Sequence, residues 1–183
     1  ESRDNILPVF QDIHAPLSET GKQQADKIAE RIAKIEFNAL IASPLSRTKE
    51  TAEAITKLTG KIPEYSDLFV ERIKPTNLNG KPHTDKEAHK LSFLWDESLH
   101  TPGMKAEDGE NFDEIIARVD KALDYLSKKH EKTIVVVTHG FFLRTLIARV
   151  MLGDSLTAEN FKNVKKRTVT RNTGLSIIKH VVS

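Results

Sequence analysis

The stretch Thr133-Ile134-Val135-Val136-Val137-Thr138-His139-Gly140-Phe141-Phe142-Leu143 decides the fold. Residues 133–138 form an unbroken β-branched run, the pattern of a strand buried on both faces of a parallel sheet rather than one alternating between core and water. His139-Gly140 then leads directly into an apolar helical segment from Phe141 to Leu152. A strand that turns tightly into a helix is the repeating unit of α/β folds, in which helices cover both faces of the sheet.

Working outward, Phe112, Ile115, Ile116, Val119, Leu123 and Leu126 mark one face of a long amphipathic helix that ends near Lys128, Lys129 and His130, as a helix C-terminus prefers. Towards the C-terminus, Leu175 to Val182 reads as a last strand. Nearer the start, Ser18 is a plausible N-cap for a helix carrying Ala25, Ile28, Ala29, Ile32 and Ala33 on one face. Ala39 to Ala42 is a short apolar strand closed by Ser43-Pro44. A second helix with Ala52, Ile55 and Leu58 follows and stops at Gly60. Residues 72–108 lack a clear period and contain Pro75, Gly80, Pro82, Pro102 and Gly103, with room for one helix over Asp85 to Leu99. They read as a lid or excursion from the alternating pattern. The sequence therefore predicts one domain over residues 1–183: a three-layer α/β/α sandwich with a mostly parallel central sheet.

Composition agrees with that class. In 183 residues, 38% are hydrophobic and 30% charged, with 8 Gly and 7 Pro, which excludes collagen-like and low-complexity chains. No apolar run approaches the roughly 20 residues that cross a bilayer. Lys and Arg number 28 against 26 Asp and Glu, a net charge of +2, so nothing in the charge calls for a nucleic-acid or membrane partner. The absence of cysteine rules out disulfides and thiolate chemistry, which fits a cytoplasmic location. The first residue is Glu1, with neither methionine nor an apolar leader.

In open parallel sheets, ligands sit at the carboxyl ends of strands, against helix N-termini that attract anions. His139 and Gly140 hold one such place. Arg47, in the first turn after Ala39–Ala42, holds another, where its planar fork of donors suits a phosphate. Glu71 follows Leu68-Phe69-Val70 at what reads as a further strand end and suits a general acid. Singly, each has an ordinary reading: a hydrogen-bonded histidine, a solvated arginine, a loop glutamate.

Together they resemble something specific. Pro16-Leu17-Ser18-Glu19-Thr20-Gly21 with Gln24-Ala25, then Ala42-Ser43-Pro44-Leu45-Ser46-Arg47-Thr48-Lys49-Glu50-Thr51-Ala52, then Val137-Thr138-His139-Gly140, resemble in order and spacing the signatures of the histidine phosphatase superfamily, also called phosphoglycerate mutase-like. Glu71-Arg72 with Leu78 and Gly80-Lys81, and Gly109-Glu110-Asn111-Phe112, resemble segments of its bacterial phosphatase branch.

The resemblance implies metal-independent hydrolysis of a small phosphomonoester through a phosphohistidine, without a cofactor, by a monomer or homodimer. It implies Arg47, His139, Gly140 and Asn5 as phosphate-binding residues, with His139 also stabilising the transferred group, and Glu71 as the general acid. The family's nucleophile lies in an Arg-His-Gly motif on a first strand. That motif is absent from residues 1–183, and Glu1-Ser2-Arg3-Asp4-Asn5 resembles its continuation, so the nucleophile is expected just before Glu1. The resemblance leaves two alternatives open: a mutase that returns phosphate to a second hydroxyl, and a phosphate-binding pseudoenzyme with a regulatory or scaffold role. Lys162, Lys165, Lys166, Arg167, Arg171 and Lys179 read as a solvated basic face. Trp95, Phe93 and Leu94 read as an anchor for the excursion or as a wall of the substrate cleft.

Overall fold

The structure, a computed structural model, describes residues 8–10 and 14–179. Among these, helices and strands alternate as α1 (Glu19–Ile32), β1 (Ala39–Ala42), α2 (Ser46–Thr59), β2 (Pro63–Tyr65), α3 (Lys86–Glu97), α4 (Phe112–Ser127), β3 (Ile134–Val137), α5 (Gly140–Leu152) and α6 (Ala158–Arg167). The strands form a parallel sheet of order β2-β1-β3, with Leu40 opposite Pro63 on one side and Val135 on the other.

Alternation along the strands builds the three layers. Leu40, Ala42, Val135 and Val137 face α1 and α2, where Ala25, Ile28, Ala29, Ile32, Ala52 and Ile55 close a core. Ile41, Ile134 and Val136 face the opposite way, onto Val119 and Ala122 of α4 and Phe142 and Leu146 of α5. The expected α/β/α sandwich is therefore present.

Local chemistry fixes the ends of the helices. Ser18 caps α1 by accepting the Gly21 N–H at 3.0 Å, and α2 ends on Gly60 at φ 69°, a left-handed geometry that glycine adopts without Cβ strain. Asn111 and Glu114 form a reciprocal capping box at the start of α4, each side chain accepting the other's backbone N–H at 3.0 Å.

Four expectations need correction. Leu68-Phe69-Val70 does not end a strand: Asp67–Phe69 is a single 3-10 turn and Val70 follows it in extended backbone, outside the sheet. The run 134–137 is a strand, but half-buried rather than enclosed. Among the described residues no strand pairs with its second edge, and that edge borders a cavity. The strand expected over 175–182 is not formed at 175–179, where Leu175, Ile177 and Ile178 are exposed, and residues 180–182 lie outside the described residues. An apolar run becomes a strand only where an edge receives its hydrogen bonds, and these residues meet none. Within the excursion α3 forms as expected, but Phe93 and Leu94 are exposed, which leaves Trp95 as the aromatic anchor. Its ring stacks on Arg72, whose guanidinium carbon lies 4.1 Å from the ring centroid, and its indole N–H donates to the Glu110 carbonyl at 3.2 Å.

Residues 8–10 also pair with the excursion. Val9 bridges Pro82, and Phe10 donates its N–H to the Lys81 carbonyl at 2.8 Å. The helix α6, which the sequence reading did not resolve, buries Phe161 against Phe112 and Ile115 of α4.

Candidate active site

The carboxyl ends of β1 and β3 lie side by side, because Ala42 pairs with Val137. Each strand continues into a helix, so the residues after them share one rim. Arg47, Glu71, His139 and Gly140 all line a single cavity of about 470 Å³. Asn5, the remaining expected site residue, lies outside the described residues.

His139 is buried, 6% exposed, and its Nε2 shares a hydrogen bond of 2.8 Å with Ser43 Oγ. Burial, with the positive charges of Arg47 and Arg118 nearby, pushes its pKa down to about 2 from the usual 6.5, because a desolvated imidazolium facing two cations is costly. The ring is therefore neutral. Ser43 is fully buried at the end of β1, and its oxygen also accepts the Leu45 N–H at 3.4 Å. Arg47 sits in the first turn of α2. Burial lowers its pKa, against the opposing charge of Glu71, and it stays cationic at neutral pH.

Glu71 is tied to the same rim by its carboxylate. The two oxygens accept the N–H groups of Phe141 at 3.3 Å and Phe142 at 3.0 Å, and one also accepts the N–H of Arg72 at 3.0 Å. Phe141 and Phe142 belong to the first turn of α5, whose N-cap His139 makes no side-chain capping bond. Glu71 thus caps α5 from across the chain, where free N–H groups and the helix dipole favour a carboxylate. Two donors of the turn expected to hold phosphate are occupied by this carboxylate. At Gly140 the chain passes close to Thr170: a Cβ there would lie 2.9 Å from Thr170 Oγ1.

Among the described residues no group of three or more His, Asp or Glu side chains could hold a metal ion, and no helix is long and apolar enough to cross a membrane. What the cavity does offer is a guanidinium, a neutral imidazole and a carboxylate on one wall.

The sequence profile of the histidine phosphatase superfamily, branch 1, matches residues 4–180. The chain belongs to that superfamily. It is 32% identical over 150 residues to a metal-independent phosphoserine phosphatase of Arabidopsis thaliana, covering 78% of this chain and 61% of that one. To phosphoglycerate mutase-like protein 4 of the same plant it is 31% identical over 140 residues, covering 73% and 59%. It thus spans about three-fifths of the length of these two relatives. The solved structure of YhfR from Bacillus stearothermophilus superposes with a TM-score of 0.76 at 25% identity, over 94% of this chain and 83% of that one.

In this histidine phosphatase domain, four residues beside the rim escaped the sequence reading as parts of the site. Ser43 lay within a quoted motif, but its bond to His139 needs the pairing of β1 with β3. Glu110 and Arg118 form an ion pair of 2.7 Å, their side chains 6% and 13% exposed. Glu110 stood only within the resembling segment Gly109-Glu110-Asn111-Phe112, and nothing in the sequence pairs it with Arg118, eight positions on. Arg72 is also buried, its pKa lowered by desolvation to about 9 against the opposing charges of Asp96, Glu110 and Glu71.

Proposed function

We propose that the domain hydrolyses small phosphomonoesters without a metal, through a phosphohistidine intermediate. The observation that carries this reading is the convergence of Arg47, Glu71 and His139 on one cavity at adjacent strand ends. Arg47 clamps two phosphoryl oxygens and offsets the charge of the transferring group. His139, neutral, gives an N–H to a third oxygen, exchanging its bond to Ser43 for one to phosphate. Gly140 and Asn5 complete the phosphate contacts.

The phosphohistidine requires a nucleophilic histidine, which the superfamily carries in an Arg-His-Gly motif absent from residues 1–183. A strand bearing that motif fits the edge of β3 that is unpaired among the described residues, beside Ala25, Ile28 and Ile32 of α1, which line the same cavity as Val135 and Val137. In the first step the histidine nitrogen bonds to phosphorus, the P–O bond to the alcohol breaks, and Glu71 gives its proton to the departing oxygen. In the second, water attacks phosphorus, the N–P bond breaks, and Glu71 takes the water's proton. Transfer to water rather than to a second hydroxyl accords with the shortness of the excursion 72–108, which holds one α-helix, α3, and adds none of that helix's residues to the lining of the cavity.

The test is hydrolysis of p-nitrophenyl phosphate, with a chelator present, by the chain carrying Arg-His-Gly ahead of Glu1. Chelator-resistant turnover lost in Arg47→Ala and His139→Ala is the expected result. Turnover that requires added metal, or that survives both substitutions, overturns the reading.

A further inference from the structure

Glu71 reaches the helix it caps from a loop that has no sheet or helix of its own to hold it, since residues 70–75 fall in no regular element. What holds that loop is a pair of side chains that do not line the cavity. Arg118 of α4 donates to the carbonyls of Leu68 at 3.0 Å and Val70 at 2.8 Å, and more weakly to that of Glu71 itself at 3.4 Å. The opposite edge of the same guanidinium forks onto both oxygens of Glu110, at 2.8 and 2.7 Å. Glu110 continues the clamp on the far side of Glu71. Its carboxylate accepts the Ile73 N–H at 3.2 Å, its backbone N–H donates to the Ile73 carbonyl at 2.7 Å, and its carbonyl accepts Arg72 Nε at 3.0 Å. Residues 70–73 are therefore each tied to Glu110 or Arg118.

A buried ion pair adds little stability over apolar side chains of equal volume, but its fixed hydrogen-bond geometry can specify a register. Here the register is the height of the Glu71 carboxyl over the first turn of α5. We propose that Glu110 and Arg118 are positioning residues for Glu71, holding the proton donor of the reaction at the rim of the cavity without touching substrate. This rests on the reading of Glu71 as the acid given above, and it assigns to the clamp the timing of proton transfer rather than phosphate binding.

Two measurements test it, one of which needs no turnover. The first is amide hydrogen exchange of Phe141 and Phe142, with Ile41 of β1 as the reference for global opening. In Glu110→Gln and in Arg118→Lys, exchange at Phe141 and Phe142 is expected to rise at least tenfold more than at Ile41, as in Glu71→Ala, because the loop is released beyond any loss of global stability. Acceleration at both amides no greater than at Ile41 overturns the proposal.

The second compares p-nitrophenyl phosphate with phenyl phosphate, similar in size but with a more basic leaving group, in the chain carrying Arg-His-Gly. Loss of a proton donor penalises the poorer leaving group. Glu110→Gln is expected to lower kcat for phenyl phosphate at least tenfold more than for p-nitrophenyl phosphate with KM little changed, and Glu71→Gln to do the same. If Glu71→Gln shows that discrimination and Glu110→Gln does not, the positioning role is wrong. If Glu71→Gln lowers both substrates alike, the acid assignment itself fails, and the exchange experiment decides the positioning role alone.

Discussion

Neutral His139 makes the folded protein sensitive to acid in a way that can be calculated. Its folded pKa is depressed to about 2 from the 6.5 of a free imidazole, by burial first and then by Arg47 and Arg118. Below pH 6.5 the unfolded chain binds a proton that the folded chain refuses, so stability is full above that pH and is lost as pH falls. Integrating the linkage between pH 7.5 and pH 5 gives a loss of about 2 kcal/mol from this one residue, at about 1.4 kcal/mol per pH unit. Replacing His139 by Gln removes the titration while retaining a hydrogen-bonding side chain beside Ser43. The assay is urea unfolding of both proteins at the two pH values. The stability of wild type relative to His139→Gln should fall by about 2 kcal/mol on going to pH 5. An unchanged difference would refute the reasoning, because it would mean that the folded protein accepts the proton as readily as the unfolded one.

The remaining predictions concern packing around the same rim. Arg118→Gln leaves the buried Glu110 carboxylate without its bidentate partner and should cost about 3–5 kcal/mol in denaturant unfolding. The double substitution with Glu110→Gln should cost less than the sum of the two singles, because each single strands a buried charge. Gly109→Ala places a Cβ 2.6 Å from Pro75 Cδ and 2.8 Å from Trp95 Cδ1, and the overpacking should cost about 1–3 kcal/mol, read as a lowered melting temperature. Ser43→Ala deprives buried His139 Nε2 of the hydroxyl 2.8 Å away and should cost about 1–3 kcal/mol by the same assay.

Much of this was legible in the sequence because it rests on local rules. The apolar periods at Ala25–Ile32 and Phe112–Val119, the caps at Ser18 and Gly60, and the β-branched run before His139 are short-range signals, and each helix or strand they imply is present. Strand β2, Pro63–Tyr65, is too short to show a period and exists because β1 offers it an edge. Half of helix α6 is charged, and its apolar contribution is confined to Ala158, Phe161 and Val164, so charge hid it. The error at residues 175–179 is of the opposite kind, since apolar content alone cannot supply a partner strand.

The site divides in the same way. Arg47 and His139 were readable because strand-end positions carry chemistry in parallel sheets. The Glu110–Arg118 clamp was not, since its partners are 47 to 50 positions apart at the loop and only the packing of α4 under residues 68–73 brings them together. Glu71 was found as a candidate acid, but its role as a cap for α5 depends on contacts 70 and 71 positions away.

The proposed phosphoryl site of Arg47 and His139 is tested most directly by orthovanadate, which mimics the phosphoryl group in transfer and requires no nucleophile to bind. Titration of the 183-residue chain by calorimetry should show one site, weakened roughly 10- to 100-fold in Arg47→Ala and in His139→Ala, the loss expected for a charge-assisted hydrogen bond. Binding that is unaltered by either substitution would contradict it.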